Sequence, residues 1–464
     1  MPDFDVVLIG SGPGGYVAAI HAARQGARVA IVEQKATEWG GTCLNWGCIP
    51  TKTLVQSAEV LRTVRRAAEF GVKVGEPEID WAAMQDRKNR VVTSMRQGVQ
   101  GLLKSNGVEM VTGRGRFAGP GRVSVDGRDL AGRNVILAPG SVVALPPFKG
   151  ADLGLTSDTI LGLAKIPESL VVIGGGVVGM EFAGIFSLLG TEVTVIEMLD
   201  QLLTPLDPDV AQRFQQLMAK RGVTFHLSAR VESVEKGGGG FRVKFEGRQV
   251  EAEQVLVATG RRPNTADMGL EEAGLALDRT AIKVDAHLRT NLDGVYGIGD
   301  ATMISMLAHT ASYQGEVAVH NALGQHAVSA DYNAIPGCIY TEPEIAYVGL
   351  SEAQARAQGI EPKVGSFPFA ALGRAMVLGE TDGLVKIVAD ADGYVLGVTI
   401  MGPRATDLIA EGVLAVHQGL TAAELTHAVH AHPTLPEAMA EAALDVDGRA
   451  VHIAPRKKAA AARA

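Results

Sequence analysis

The chain has 464 residues, of which 47% are hydrophobic and 20% charged, with a formal net charge of -8. That is enough apolar material for roughly two to four domains with their own cores. The acidic balance leaves no electrostatic footprint for nucleic acid or for an anionic membrane surface. Three cysteines are too few for a secreted disulfide framework, so a disulfide here reads as catalytic. The opening Met1-Pro2-Asp3-Phe4-Asp5 carries no basic and apolar leader, and the expected location is cytoplasmic. The longest apolar stretch, 170–189, is interrupted by Gly174, Gly175, Gly176 and Glu181, so it is not expected to span a membrane.

The first element is an apolar strand, Asp5 to Ile9, followed by Gly10-Ser11-Gly12-Pro13-Gly14-Gly15 and an alanine-rich helix from Tyr16 to Gln25. Gly26 stops that helix, and a second strand from Arg28 ends at Glu33. Strand, Gly-x-Gly-x-x-Gly, helix, strand, acid is the dinucleotide-binding signature. Gly10 makes the turn, Gly12 lets the backbone approach a pyrophosphate, and Gly15 permits close helix–strand packing. Glu33 stands where a ribose hydroxyl would be bound. Glycine spacing alone does not separate FAD from NAD.

Next comes Gly40-Gly41-Thr42-Cys43-Leu44-Asn45-Trp46-Gly47-Cys48-Ile49-Pro50-Thr51-Lys52. Five residues rise about 7.5 Å on a helix, and disulfide reach ends at about 7 Å. A Cys43–Cys48 bond would therefore need a distorted or loop-like start, which Gly40, Gly41 and Gly47 permit. In a helix, Lys52 would lie one turn from Cys48 and favour its thiolate. A redox pair and two unrelated cysteines both remain open on this stretch alone.

Helical spacing is expected over 58–70 and 81–105, strands and turns over 108–125, and a buried strand at 135–137 closed by Ala138-Pro139-Gly140-Ser141. The nucleotide pattern then recurs. A strand from Leu170 to Ile173 leads to Gly174, Gly176 and Gly179, a helix from Met180 to Leu189, and a strand ending at Glu197. Two complete copies imply two dinucleotide sites. The Glu197 carboxylate would repel a 2′-phosphate, so the second site should prefer NAD(H). An amphipathic helix is expected over 209–221, a hairpin tip at Lys236 to Gly240, and a strand ending in a tight turn at Gly260. From Cys338, expected to be a buried core thiol, the texture becomes α+β, with strands at 364–369, 384–388 and 397–401 and helices at 405–418 and 436–444. The tail, Arg456 to Ala464, reads as frayed.

Near the end stands His430-Ala431-His432-Pro433-Thr434-Leu435-Pro436-Glu437. Two prolines in a rigid turn can fix His432 against Glu437, the base-plus-orienter arrangement of thiol chemistry. The competing readings are a surface histidine beside a helix N-terminus and, less favoured, metal binding by His427, His430 and His432. No metal is expected.

With the cysteine block, both glycine motifs and the Gly299-Asp300 turn in hand, the chain resembles the disulfide-linked flavoprotein reductases. These form the pyridine nucleotide-disulfide oxidoreductase family, and the likeness is strongest to its dihydrolipoamide dehydrogenases, from about residue 3 to 450. The resemblance implies an α/β fold with two Rossmann-like domains and a C-terminal α+β dimerisation domain. The segments would be 1–145 (FAD-binding, first part), 146–268 (NAD-binding), 269–337 (FAD-binding or central part) and 338–464 (interface). It implies FAD on Gly10, Gly12, Gly15, Glu33 and Asp300, with Lys52 near the flavin. It implies NAD on Gly174, Gly176, Gly179 and Glu197, with Glu181 near the nicotinamide. Gly41, Thr42, Gly140 and Gly260 complete the cofactor-binding set. Cys43 would be the interchange thiol, Cys48 the thiol facing the flavin, and His432 the base oriented by Glu437, acting across a homodimer. The implied partners are lipoyl domains and the core acyltransferase of a 2-oxo acid dehydrogenase complex. The implied reaction oxidises a protein-bound dihydrolipoyl group with NAD+ as acceptor. A sister NAD(P)H-dependent disulfide reductase and a non-catalytic flavoprotein subunit are the alternatives. Three features depart from the family pattern. Pro139 puts a local turn in doubt, Trp46 stands between the cysteines, and 309–315 carries few charges.

Overall fold

A computed structural model of the chain describes residues 2–324 and 327–455. The expected frayed tail, Arg456 to Ala464, lies outside them. The chain divides into two compact units. One runs up to Glu168 and includes Ser233–Val243 and Glu251–Ala330; the other comprises Ser169–Glu232, Lys244–Val250 and the chain from Asp331 on.

In the first unit β1 (Phe4–Ile9) leads into α1 (Pro13–Arg24) and β2 (Val29–Glu33). Val6 and Leu8 of β1 pack with Ala18, Ala19 and Ala22 of α1 in one core cluster, while Val7 and Ile9 face another. A strand buried on both faces loses the polar alternation of a half-exposed one, hence the continuous apolar run. After β2 come α2 (Gly41–Trp46), α3 (Cys48–Arg65) and α4 (Trp81–Ser105). The helix expected from residue 58 thus begins ten residues earlier, at Cys48. Then follow β3 (Glu109–Thr112), β4 (Gly115–Gly119), β5 (Arg122–Val125) and β6 (Arg128–Leu137).

The sheet order is β3-β2-β1-β6-β5-β4. β1 runs parallel to β2 and to β6, and β6 is also parallel to Val295–Gly297. Only the end of β6 was legible as a strand. Its polar first half pairs antiparallel with β5, at Arg128 to Ala131, and has no apolar run to announce it. Ile9, Leu137 and Gly297 are in register. Gly10, Ala138 and the Gly299–Asp300 turn therefore leave the same edge of the sheet, at the carboxyl ends of parallel strands, where such folds bind ligands. Next in the chain, β7 (Ser141–Val143) pairs antiparallel with Arg261–Pro263.

In the second unit β8 (Ser169–Ile173), α5 (Val177–Leu188) and β9 (Glu192–Ile196) repeat the opening pattern. α6 (Pro208–Lys220) and β10 (Thr224–His226) continue it, with β8, β9 and β10 parallel. From Gly337 a five-stranded antiparallel sheet forms, and helices Ala405–Gln418 and Glu437–Asp445 bury Ile409, Ala415, Ala438 and Ala442 in its core. This is the expected α+β texture. Gly365 allows the second helix to lie close, since a Cβ there would strike the carbonyl of Ala442. Cys338, expected to be buried, is half-buried on the edge strand Gly337–Ile339. Edge strands keep one side open.

One charge cluster was not legible. Lys386, only 4% exposed, sets its ammonium 3.1 Å from Asp207, 3.1 Å from Asp209 and 2.9 Å from Glu352. Burial pulls its pKa down, but hydrogen bonds and charges from Glu352, Asp207 and Asp209 outweigh it, and the net direction is up. The stabilisation is therefore complete below the ordinary lysine value of 10.5 and is lost as pH rises through the raised one. Lys386→Met strands the buried Asp207 carboxylate and should cost about 3–5 kcal/mol. A lowered urea midpoint would report that loss, and a wild-type midpoint would mean that the cluster adds nothing.

Candidate active site

The two glycine turns share their main backbone contacts. Gly10 and Gly174 have φ of +101° and +114°, a region that favours glycine. A Cβ on Gly15 would strike the carbonyl oxygen of Gly10, and one on Gly179 that of Gly174. A Cβ on Gly12 or Gly176 would meet nothing within 4 Å. These middle glycines are the N-caps of α1 and α5, and neither makes a side-chain capping bond. Helix N–H groups facing open space are the cradle that a pyrophosphate fills. The acids also correspond. Glu33 Oε2 accepts from the Ser11 amide at 3.1 Å, and Glu197 Oε2 from the Gly175 amide at 2.6 Å. Burial raises the Glu33 carboxyl, outweighing the hydrogen bonds from Ser11 and Gln34 that lower it. Both turns fit a dinucleotide.

The cysteine segment sits against the first turn. Gly41 has φ +65°, and a Cβ on it would lie 2.6 Å from Gly12 Cα. Ser11 Oγ accepts from the Gly40 amide at 3.1 Å and donates to Glu33 Oε2 at 2.5 Å, joining the two segments. Asn45 donates to the carbonyls of Glu38, Trp39 and Gly41, and Arg96 donates to Asn45 and to the Thr37 carbonyl. Cys43 and Cys48 are disulfide-bonded, with Cα atoms 4.7 Å apart. Of the distorted or loop-like start expected, the structure shows a distortion: a break between two helices. Cys43 is in α2, Cys48 opens α3, and Gly47 alone separates them. Both cysteines and Trp46 are half-buried, and Thr42 lies in the first turn of α2. Lys52 is one helical turn beyond Cys48, as expected.

The turn that Pro139 put in doubt is intact. Asn264 donates to the carbonyls of both Gly140 and Pro139. Asp300 Oδ2 accepts from Ser141 Oγ at 2.5 Å, and Arg261, next to Gly260, donates to Ser141. The weakly charged segment 309–315 belongs to helix Ala308–Ala322, whose Gln314 is fully buried and accepts from the Gly299 amide at 2.6 Å. Burial disfavours charges at Thr310, Ala311, Gln314 and Gly315, whereas His309 is exposed.

In the second unit, His432 Nδ1 donates to Glu437 Oε1 at 2.9 Å, and the Thr434 amide donates to Oε2 at 2.7 Å. Burial lifts the Glu437 carboxyl, but the Thr434 and His432 hydrogen bonds outweigh it and the net direction is down. An ionised carboxylate only accepts, so the ring nitrogen facing Glu437, Nδ1, carries a proton. His430 does not join it; its two nitrogens face the Ala428 carbonyl and Glu411. Among the described residues no group of three or more His, Cys, Asp or Glu side chains is arranged to hold a metal ion. Glu181, 4% exposed, accepts from the Tyr340 amide at 3.0 Å. Burial pushes the Tyr340 phenol up to about 12, so it stays neutral there. Ser11, Ser141, Arg261 and Gln314 were not singled out from sequence. All four lie inside or beside stretches that the sequence did single out: Ser11 in the glycine motif, Ser141 in the turn after Pro139, Arg261 beside Gly260 and Gln314 within 309–315.

Two dinucleotide turns, a cysteine bridge packed on the first and a histidine–carboxylate pair define the class as a nucleotide-dependent disulfide oxidoreductase. Residues 4–315 match the model of the pyridine nucleotide-disulphide oxidoreductase family, and residues 335–443 match that family's dimerisation domain. The dihydrolipoyl dehydrogenase of Chlamydia muridarum is 42% identical over 98% of this chain and 99% of its own. Among solved structures, LpdA from Mycobacterium tuberculosis is 30% identical with a TM-score of 0.88, over 94% of this chain and 98% of that one. The HOCl-induced flavoprotein disulfide reductase RclA from Escherichia coli is 29% identical with a TM-score of 0.87, over 95% and 99%. The chain belongs to the pyridine nucleotide-disulphide oxidoreductase family, among its dihydrolipoyl dehydrogenases, and is an oxidoreductase. No helix among the described residues is long and apolar enough to cross a membrane.

The bridge sets a thiol count. Of three cysteines, Cys43 and Cys48 form the disulfide and Cys338 lies outside it. Thiol titration of the unfolded chain should give one thiol before reduction and three after. Three before reduction would remove the bridge.

Proposed function

We propose that the chain oxidises protein-bound dihydrolipoyl groups, with NAD+ as the final electron acceptor. The observation that carries this reading is the Cys43–Cys48 bridge, held against the first dinucleotide turn by the close approach of Gly41 to Gly12. In this reading Gly10, Gly12, Gly15, Glu33 and Asp300 hold FAD, with Lys52 beside it. Gly174, Gly176, Gly179, Glu181 and Glu197 hold NAD, and Thr42, Gly41, Gly140 and Gly260 complete the set. Segments 1–145 and 269–337 form the FAD domain, 146–268 the NAD domain and 338–464 the interface of a homodimer. The partners are lipoyl domains and the acyltransferase core of a 2-oxo acid dehydrogenase complex, in the cytoplasm.

FAD, when bound, would supply the two-electron redox chemistry that links the cysteine pair to NAD+. The chain's own residues do the rest. His432, its Nε2 basic because Glu437 holds the proton on Nδ1, takes a proton from one substrate thiol. The thiolate attacks Cys43 Sγ, the Cys43–Cys48 bond breaks, and Cys48 leaves as a thiolate. The second substrate thiol attacks the mixed disulfide at the substrate sulfur. Cys43 leaves, and the lipoyl group departs as a disulfide, two electrons poorer. Lys52, one turn from Cys48, favours the Cys48 thiolate. The Glu197 carboxylate repels a 2′-phosphate and so selects NAD+ over NADP+.

Steady-state assays with dihydrolipoamide or glutathione, each with both nucleotides, test the assignment. Turnover confined to dihydrolipoamide and NAD+ is the expected result, while turnover of glutathione alone would sink it. His432→Gln should slow thiol oxidation by about two to four powers of ten, and an unchanged rate would return His432 to a surface role. Cys48→Ser should abolish lipoamide turnover but leave NADH-dependent quinone reduction, which needs no disulfide. Loss of both activities with FAD retained would contradict that division.

A further inference from the structure

Arg261 sits at the centre of a hydrogen-bonded chain that ends on Asp300. Its Nε donates to Ser141 Oγ and its Nη2 to the Ser141 carbonyl, both at 2.8 Å. Nη1 lies 3.5 Å from both Ser157 Oγ and Asp158 Oδ1, so the charge is partly balanced on the far side. Ser141 is 5% exposed, and its Oγ donates to Asp300 Oδ2 at 2.5 Å. A guanidinium can only donate. Ser141 Oγ must therefore accept from Nε, which directs the hydroxyl proton to Asp300. With Oδ2 committed to Ser141, Oδ1 is the oxygen left to accept from a ligand.

The backbone enforces the same geometry. Arg261 lies opposite Val143 in the antiparallel pair of β7 with Arg261–Pro263. Its side chain therefore reaches back along β7 to Ser141. Asp300 follows the strand Val295–Gly297, in register with the end of β6, from which the chain turns into β7. Three separate segments are thus pinned by one side chain.

We propose that Arg261 is a positioning residue for FAD binding. It acts through Ser141 to fix which oxygen of Asp300 meets the cofactor and in which direction it points. This rests on the reading above that Asp300 contacts FAD. Lysine can replace one donor but not the fork, because it lacks two N–H groups fixed in one plane.

The test is FAD dissociation from purified holoenzyme, followed by released-flavin fluorescence on dilution. Arg261→Met should raise the dissociation constant by about ten- to a hundredfold, the range for losing hydrogen bonds that orient a charged group. Ser141→Ala should weaken FAD by about tenfold. The double variant should be no weaker than the worse single one, because both act through one chain of bonds. Arg261→Lys should recover part of the loss. A wild-type constant in Arg261→Met, or fully additive effects in the double variant, would overturn the proposal. If Arg261→Met does not fold, a wild-type constant in Ser141→Ala overturns it equally. Asp300→Ala separates the two layers. Unchanged FAD affinity there would remove the Asp300 reading itself, whereas weakened affinity beside an unaffected Arg261→Met would remove only the positioning role.

Discussion

Everything at the first site depends on places where backbone touches backbone because no side chain intervenes. Gly15 packs on the carbonyl of Gly10, Gly10 on that of Ala138, and Gly41 on the Cα of Gly12. The first contact seats α1 against the turn, the second seats the turn on the end of β6, and the third seats the cysteine helix on both. Such contacts have almost no rotamer freedom, so the redox bridge stands at a fixed place relative to the phosphate cradle. The second unit keeps the first of these contacts, Gly179 on Gly174, but among its described residues none matches Gly41.

The bridge poses a further problem of geometry. Helical residues five apart are too distant to join, yet Cys43 and Cys48 both lie within helices. Gly47 resolves this by breaking the helix between them. A Cβ there would sit 2.9 Å from the Thr42 carbonyl oxygen and 3.1 Å from Cys43 Cα, so any other residue would push the two cysteines apart. Starting α3 at Cys48 also places that sulfur in its first turn, where N–H groups lack helical partners and a thiolate is favoured. One glycine thus makes the bridge possible.

The legible parts of this protein were those whose chemistry is local in the chain. The glycine turns, their acids, the cysteine block and the His432–Glu437 pair each occupy one short stretch. What escaped was assembled across distance. Ser141 and Asp300 are 159 residues apart, and Lys386 meets carboxylates from two remote segments. No periodicity records such meetings. The early start of α3 was missed for a different reason: the glycines that permit the break also read as loop. The polar half of β6 was missed because its partner strand, not its own pattern, makes it a strand.

The His432–Glu437 pair is organised from the opposite principle to the bridge. Glu437 is held by the Thr434 amide, and its helix is clamped by the missing Cβ of Gly365 and by Asp445, which accepts from the Ser366 amide at 2.8 Å. The orienter is therefore rigid. His432 itself is 80% exposed, and nearby Val429 is 99% exposed. An imidazole in open water is oriented but not desolvated, and its electrostatic work there is small. An apolar side chain left almost wholly in solvent beside it marks a surface that gains by being covered. The dimerisation domain that carries both residues supplies the reason. In the homodimer proposed above, covering this edge would exclude water from a base whose direction is already set, so that one chain fixes the geometry and the second copy completes the environment.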